Sequence, residues 1–330
     1  MTYRVGVLGA RGYVGKELIE GILLHPDLSL DWVSSRQLAG QKLPALVPNT
    51  NYNLIIENLD AQQVAAKNSD VIVLALPNGL AADYVAEIEK ANTAKVLIDL
   101  SADYRFTSDW IYSVPELHSD KFKQSSGIIK ISNPGCYATA MQVAIAPIKF
   151  RVHGTVNCYG ISGYSGAGTK PSPNNDPQRL KDNILPYALV EHIHEQEVIL
   201  HSECDIHFSP HVAAFFRGIN MTVQWRANGP QNKNELLEQF NAYYEQSKYI
   251  ECQMDIPNIK QVVHTPNCII GGFTVSDDGM RITQVSVIDN LAKGAASQAM
   301  QNINIALGLE EHLGIDELYS NFSQTHSQEQ

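Results

Sequence analysis

Residues 3–24 read YRVGVLGARGYVGKELIEGILL and decide the first half of the fold. The apolar, β-branched run Tyr3–Leu8 predicts a strand, and the residues from Lys16 onward have the apolar spacing of a helix. A glycine triplet between them permits a tight turn, close approach of a pyrophosphate and close packing of helix on strand. The alternative is a plain turn. The predicted dinucleotide loop comprises Gly9, Arg11, Gly12, Tyr13, Val14 and Gly15.

The residues after the second predicted strand, 28–33, indicate which dinucleotide binds. They are Ser34, Ser35 and Arg36. NAD sites place a carboxylate here for the ribose 2′-hydroxyl, whereas a 2′-phosphate needs a cation and hydroxyl donors. Because none of the three is acidic and Arg36 can bind phosphate through two hydrogen bonds, we predict NADP. The alternative is that Arg36 is a solvated surface residue.

Two further runs extend the predicted parallel sheet. Residues 71–76 are continuously apolar, as buried parallel strands are, and residues 95–100 form the next strand. Asp103 and Arg105 follow its carboxyl end, the edge where α/β folds bind ligands. Arg105 is therefore a candidate clamp for a phosphate or carboxylate group. The alternative is a surface ion pair between Asp103 and Arg105.

A second junction of strand and helix carries the candidate nucleophile. Residues 131–140 read ISNPGCYATA: a strand end, a tight turn at residues 133–135, and a helix that Pro147 should end or kink. Cys136 then lies at the positive end of the helix, which favours the thiolate. The alternative is a small buried side chain, since free cysteine is often buried. The turn favours the nucleophile, because it directs a single side chain.

Length and composition bound the class of protein. A chain of 330 residues suits two domains. No apolar run approaches the ~20 residues of a membrane-spanning helix, and we see no signal peptide. The five cysteines are scattered without the spacing of zinc ligands or a disulfide framework, which predicts a reduced, cytoplasmic protein with no metal site. A net charge of −11 without a basic stripe argues against nucleic acid.

The second half has long alternating segments with few helices between them, which predicts a mixed or antiparallel sheet. A loop at residues 162–168 follows the first of these, and its Ser162 and Gly163 are candidates to hold an anion or the nicotinamide. The alternative is a flexible connector. The predicted fold class is α/β, a Rossmann-type domain plus an α+β domain with a mixed sheet. The predicted bounds are 1–148 with a returning C-terminal helix at 291–330 for NADP, and 149–290 for catalysis, substrate binding and oligomerisation.

Two histidines are candidates for proton transfer. His192 and His194 lie in residues 186–200, which we expect to be helical. Residues two apart on a helix point about 200° apart, so only one imidazole should face a site. The alternative for each is a surface or capping residue.

In this order, the motifs resemble one family. The run SNPGCYAT at residues 132–139 is similar to the active-site signature of N-acetyl-gamma-glutamyl-phosphate reductases, in the aspartate-semialdehyde-dehydrogenase-like group. Two positions depart from the family pattern: Gln196 stands where proline is common and Ser113 where glycine is usual. The resemblance covers nearly the whole chain through segments 9–15, 34–36, 99–105, 115–117, 162–168, 192–197, 210–218 and 290–296.

The resemblance implies a mechanism. The Cys136 thiolate attacks the acyl phosphate of N-acetylglutamyl phosphate, phosphate leaves, and NADPH reduces the thioester to the semialdehyde. His194, matching the family's second histidine, carries out acid–base chemistry, with His192 as the alternative. Arg105 and Arg217 anchor the phosphate and the carboxylate, in an order left open. The remaining implied contacts are Asn133, His192 and Glu197 for the substrate and Asn290 for the cofactor.

The implied partners are a small acyl phosphate and inorganic phosphate, with a homodimer or homotetramer paired through the second domain, and neither nucleic acid nor membrane. One competing interpretation is a sister reductase acting on aspartyl phosphate or on a carrier-bound amino-acid phosphate. Another is a non-catalytic NADP-binding regulator, which the Rossmann half alone would allow. The cysteine turn and the histidine pair argue against it, because a regulator needs neither.

Overall fold

The computed structural model of the chain describes residues 2–48, 50–124 and 127–326. They form two compact units, one from the chain up to Pro134 and from Ala295 onward, the other from Gly135–Gly294. This boundary lies earlier than residue 148, because the helix that begins at Cys136 packs within the second unit. The segment 291–330 contains two helices rather than one long helix, and its residues 327–330 lie outside the described chain.

The described strands and helices are numbered in chain order. They are β1 (Tyr3–Leu8), α1 (Tyr13–Leu24), β2 (Leu28–Ser34), α2 (Ala61–Ala66), β3 (Val71–Leu74), α3 (Ala82–Ala91), β4 (Val96–Asp99), β5 (Ile111–Tyr112), α4 (Pro115–His118), β6 (Ile129–Ser132), α5 (Cys136–Ile145), β7 (Val156–Gly163), α6 (Pro177–Leu180), β8 (Ile184–Pro186), α7 (Ile193–Ser202), β9 (Ile206–Ala213), β10 (Ile219–Arg226), α8 (Lys233–Tyr243), β11 (Ile250–Cys252), β12 (Cys268–Val275), β13 (Arg281–Ile288), α9 (Ser297–Ala306) and α10 (Ile315–His326).

The first unit is built on a six-stranded sheet in the order β2-β1-β3-β4-β6-β5. Each neighbouring pair is parallel. All four residues of β3 and of β4 are buried, which is why the continuous apolar runs form central strands. The predicted Rossmann-type sheet is confirmed, and α1 packs with α9 and α10.

Helix α9 is buried although it is rich in amide side chains. Asn302 donates from Nδ2 to the Ser113 carbonyl at 3.0 Å and to Oδ1 of Asn133 at 3.1 Å. Asn304 contacts Nε2 of His25 at 3.0 Å through its Oδ1 and donates to two carbonyls ahead of α10. Because buried amides are stable only when bonded, this helix fixes the chain that precedes Cys136.

The second unit is built on a seven-stranded mixed sheet in the order β11-β12-β13-β10-β7-β9-β8. The pairs β11–β12 and β7–β9 are parallel, and the other four are antiparallel. Helix α5 packs against β10, β13 and α7, and every residue from Tyr137 to Ile145 is buried. The predicted mixed sheet is confirmed.

The carboxyl group of Asp99, at the end of β4, should make the unfolding free energy fall as pH rises. Its burial, opposed by hydrogen bonds from Ser101, raises its pKa from 3.8 to about 6. The native carboxyl therefore keeps its proton where the unfolded one has lost it. The stabilisation is complete below pH 3.8 and is lost as pH rises through about 6. A shift of two units corresponds to about 3 kcal/mol.

Asp99→Asn cannot ionise, so this loss should disappear. We expect the unfolding free energy of the variant, relative to the natural chain, to increase between about pH 4 and pH 7 in urea titrations. Titration of other groups cancels in the difference. A difference that is independent of pH would contradict the prediction.

Candidate active site

The glycine loop lies between β1 and α1 in the first unit. Gly9 has φ = +82°, and a Cβ there would lie 2.2 Å from the Ala75 carbonyl oxygen. A Cβ at Gly15 would lie 2.9 Å from the Ala10 carbonyl oxygen. At Gly12, the N-cap of α1, the nearest atom to an added Cβ is 4.0 Å away. The loop therefore has no room for a side chain at Gly9 and Gly15 and is open at Gly12, where the sequence predicts a phosphate group.

The end of β2 is tied to this loop. The Ser34 carbonyl accepts the Gly9 N–H at 3.0 Å, and Oγ of Ser34 accepts the Leu59 N–H at 3.1 Å. Ser34 and Ser35 are buried, whereas Arg36 is exposed. The guanidinium at the carboxyl end of β2 is thus open to a ligand, with no acidic residue among residues 34–36.

Arg105 is buried, so the alternative of a surface pair with Asp103 is wrong. Its Nε donates to the Asn133 carbonyl at 2.9 Å, and its Nη2 donates to the Leu100 carbonyl at 3.2 Å. The Asp103 carboxylate accepts two backbone N–H groups, at 2.6 and 3.2 Å. Arg105 therefore braces the chain that follows β4 and β6.

Asn133 lies in the turn before the cysteine and is almost fully buried. Its Nδ2 donates to the Ala295 carbonyl at 3.3 Å, and its Oδ1 accepts from Asn302 at 3.1 Å. Its backbone N–H donates to the Asp99 carbonyl at 2.8 Å. The Asn133 side chain therefore stabilises the turn at residues 133–135 through both its amide nitrogen and its amide oxygen.

Cys136 is the first residue of α5, at the start of a helix as predicted, but it lies in the second unit and not in the predicted domain of residues 1–148. It is partly exposed, while the rest of α5 is buried, so the alternative of a buried packing residue is wrong. Gly135, the N-cap, donates its N–H to Oε1 of Glu197 at 2.8 Å. Glu197 has no exposed surface and holds the start of the helix.

The rings of His192 and His194 lie close together. The expected helix over residues 186–200 is wrong in its first part, because α7 begins only at Ile193. His192 is the N-cap of α7, with φ = −58° and ψ = 140°, and its Nδ1 accepts the His194 N–H at 3.1 Å. Because His192 is outside the helix, the two ring centroids lie only 4.9 Å apart. Burial lowers the pKa of His192, against the opposing effect of Glu195.

Two tyrosines lie near Cys136, and neither is a predicted site residue. The Tyr137 ring centroid lies 6.2 Å from that of His192 and 5.9 Å from that of His194. The ring of Tyr187 lies 5.6 Å from His192. Burial, with a smaller effect of Cys136, raises the pKa of Tyr187 to about 12, so its hydroxyl stays protonated. Tyr187 follows the edge strand β8 and belongs to no sequence motif.

Arg217 forms a buried ion pair with a residue that the sequence left without a role. Its Nε lies 2.5 Å from Oδ2 of Asp289, and its Nη1 lies 3.1 Å from Nδ1 of His264. Asp289 has no exposed surface and also accepts the His264 N–H at 2.7 Å. Asp289 could have been recognised in the sequence because it directly follows an apolar strand, where a buried carboxylate needs a partner of opposite charge.

The loop at residues 162–168 is fixed, so the alternative of a flexible connector is wrong. Gly163 donates its N–H to the Gly218 carbonyl at 2.9 Å, and Oγ of Ser162 donates to the Gly163 carbonyl at 2.9 Å. Asn290 accepts the Gly218 N–H at 2.7 Å and donates to Oγ of Ser165 at 2.9 Å. Asn290 thus joins the loop to the chain beside Arg217.

The chain is similar over almost its whole length to named reductases. The N-acetyl-gamma-glutamyl-phosphate reductase of Stenotrophomonas maltophilia is 47% identical over 310 residues, which cover 94% of this chain and 97% of that protein. That of Xylella fastidiosa is 44% identical, covering 94% of each chain. The chain belongs to the N-acetyl-gamma-glutamyl-phosphate reductase family. The resemblance of the motifs is confirmed.

Two family models match separate parts of the chain, and solved structures share its fold. A model of the semialdehyde dehydrogenase NAD-binding domain matches residues 4–125, and one of the dimerisation domain matches residues 136–290. Aspartate semialdehyde dehydrogenase II of Vibrio cholerae shares the fold, with a TM-score of 0.75 at 19% identity over 93% of this chain and 98% of that one. Aspartate semialdehyde dehydrogenase of Candida albicans, solved with NADP, has a TM-score of 0.70 at 18% identity, over 96% of this chain and 100% of that one.

The described part of the chain offers neither a helix suited to a bilayer nor a group of metal-ligating side chains. None of its helices has the length and apolar character needed to cross a bilayer. None of its His, Cys, Asp and Glu side chains gather in threes or more around a position for a metal ion.

Proposed function

We propose that this chain catalyses the NADPH-dependent reductive dephosphorylation of N-acetyl-L-glutamyl 5-phosphate to N-acetyl-L-glutamate 5-semialdehyde, in arginine biosynthesis. The relatives that are 44–47% identical bear the name of this activity. The observation that carries the proposal is Cys136, partly exposed at the start of α5, close in sequence and structure to Tyr137, whose ring lies near both imidazoles.

Cys136 is the nucleophile. Its thiolate attacks the acyl carbon, so that a carbon–sulfur bond forms and the carbonyl oxygen takes up negative charge. Backbone N–H groups in the first turn of α5 stabilise that oxygen. The carbonyl then re-forms as the bond to the phosphate oxygen breaks, and inorganic phosphate leaves. The product of this half-reaction is a thioester on Cys136.

The second half-reaction releases the aldehyde. The nicotinamide cofactor supplies the hydride that reduces the thioester carbonyl. The resulting thiohemiacetal on Cys136 collapses, the carbon–sulfur bond breaks, and the thiolate is regenerated. His194 accepts the thiol proton before the attack, donates it to the thiohemiacetal oxygen after the hydride has arrived, and accepts it again as the carbon–sulfur bond breaks. His192 and Glu197 complete the substrate side of the site, with Asn133 in the preceding turn.

Arg105 and Arg217 anchor the phosphate and carboxylate groups. Each guanidinium is buried and held by neighbours, Arg105 by two carbonyls and Arg217 by Asp289. A held guanidinium loses little side-chain entropy when it binds an oxyanion. Both arginines remain candidates for either group.

The cofactor is NADP, held by the glycine loop and by residues 34–36, with Ser162, Gly163 and Asn290 at the nicotinamide. Exposed Arg36 supplies the charge that a 2′-phosphate needs. We expect Arg36→Ala to weaken NADP binding about tenfold or more and to leave NAD binding nearly unchanged, as a lost charged hydrogen bond implies. Fluorescence titration with both dinucleotides measures this, and tighter binding of NAD by the natural chain would contradict it.

The second unit mediates assembly into a homodimer or homotetramer, since the matching family model is named for dimerisation. All five cysteines are free, in keeping with a reduced cytoplasmic setting. Light scattering of the purified protein reports the assembly directly, and a monomer at micromolar concentration would overturn it.

The reaction is tested in reverse. Purified protein is given N-acetylglutamate semialdehyde, phosphate and NADP, and NADPH is followed by its absorbance. We expect reduction of NADP that requires phosphate. Faster turnover of aspartate semialdehyde or of a carrier-bound semialdehyde would favour a sister reductase. Absence of turnover with the whole panel, together with NADP binding, would favour the non-catalytic regulator.

A further inference from the structure

The segment after β13 has an unusual backbone. Residues Ala292–Ala296 form a π-helical turn, and the Gly294 N–H donates to the Asp289 carbonyl at 2.9 Å, five residues back. Single π turns are rare in proteins, and those that occur are often found at functional sites. The turn therefore calls for a functional explanation.

Gly294 lies against the nucleophile. A Cβ added at Gly294 would lie 2.7 Å from Cβ of Cys136 and 3.3 Å from its Cα. These atoms belong to the backbone of α5 or are bonded directly to it, so they cannot swing aside as a flexible side chain can. The absence of a side chain at Gly294 is what allows Cys136 its present position.

The two residues at the start of this segment, Asp289 and Asn290, bond to Arg217 and to the loop at residues 162–168. Asp289 pairs with Arg217 and, through Oδ1, accepts the Leu291 N–H at 2.9 Å at the start of the turn. Asn290 bonds the Gly218 N–H and Oγ of Ser165. One short stretch of backbone is therefore in contact with the groups beside Arg217 at one end and with Cys136 at the other.

We propose that the segment of residues 289–294 positions the nucleophile relative to Arg217, and that Gly294 is the positioning residue that sets the place of Cys136. The inference rests on the proposed function, because it takes Cys136 as the nucleophile. Gly294 touches neither substrate nor cofactor in this assignment and acts through Cys136 alone.

Gly294→Ala tests the inference. Apolar atoms prefer a separation of about 3.5–4.0 Å, so the new methyl group must displace Cys136 by about 1 Å. A displacement of that size can cost about 10²-fold in rate. We expect kcat to fall about 10²-fold while the KM for NADP stays within about twofold, since the residues assigned to the phosphates of NADP, the glycine loop and residues 34–36, belong to the first unit.

Gly229→Ala is the matched control. It makes the same chemical change in the same unit, but an added Cβ there meets no atom within 4 Å. We expect its kcat and thermal midpoint to equal those of the natural chain. Equal kcat values for the Gly294→Ala and Gly229→Ala variants would overturn the inference.

A stability cycle covers the case in which Gly294→Ala folds poorly. In a Cys136→Gly background the Cβ that would be struck is absent, so Gly294→Ala should lower the thermal midpoint less than it does with Cys136 present. An equal loss in both backgrounds would overturn the contact. The proposed function fails separately, if Cys136→Ser retains turnover, whatever Gly294→Ala does.

Discussion

Cys136→Ser is expected to lower turnover by at least about 10³-fold while the protein still binds NADP. A serine hydroxyl is almost entirely protonated at neutral pH and lacks the nucleophilicity of a thiolate. The substitution keeps the size of the side chain, so the expected loss is chemical and not a consequence of unfolding. Steady-state reduction of NADP in the reverse assay and a fluorescence titration with NADP measure the two effects separately.

The surroundings of Cys136 explain why the fold should tolerate this change. The start of α5 is held by the bond from Gly135 to Glu197, which does not involve the sulfur atom. The buried residues that follow pack the helix against β10 and β13. The thermal midpoint of Cys136→Ser should therefore remain close to that of the natural chain.

Cys252→Ser is a matched control for the same chemical change. Cys252 is also partly exposed in the second unit, but it lies on the edge strand β11, and burial raises its pKa to about 12. A thiol with such a pKa is un-ionised at neutral pH, so its replacement should leave turnover unchanged. Turnover of Cys136→Ser within about tenfold of the control would remove Cys136 from the mechanism.

The sequence predicted those features that depend on neighbouring residues. The parallel strands follow from continuous apolar runs, and the turns at Gly9 and Gly135 follow from local backbone chemistry. The mixed sheet follows from the alternation of the second half. Each of these patterns is complete within about ten residues, which is why it can be recognised without the fold.

Features set by distant partners could not be predicted in this way. His192 is expected inside a helix, but it caps one, because residues 187–192 form an irregular connection from β8 to α7, with positive φ at Ala188 and Glu191. The pairing of Arg217 with Asp289 joins the ends of two strands that are far apart in sequence. The contact of Gly294 with Cys136 is of the same kind, since a glycine carries no chemistry that would mark it.

His194→Asn is expected to lower kcat by about 10²–10⁴-fold, the usual effect of removing a general base. The imidazole of His194 is the group to which we assign the proton transfers, and asparagine cannot replace it in any of them. The measurement is kcat across pH 5–9 in the reverse assay. The limb of the profile that reports titration of the base should be absent in the variant.

His192→Asn is the matched comparison, and it should cost less. The Nδ1 of His192 is already occupied as acceptor of the His194 N–H, and burial lowers its pKa, so the ring is a neutral helix cap at pH 7. Asparagine is among the best N-cap residues and can accept the same bond. The thermal midpoint should therefore be nearly retained, and kcat should fall less than in His194→Asn. The opposite order of the two kcat values would assign proton transfer to His192, because the cap alone cannot explain a larger loss.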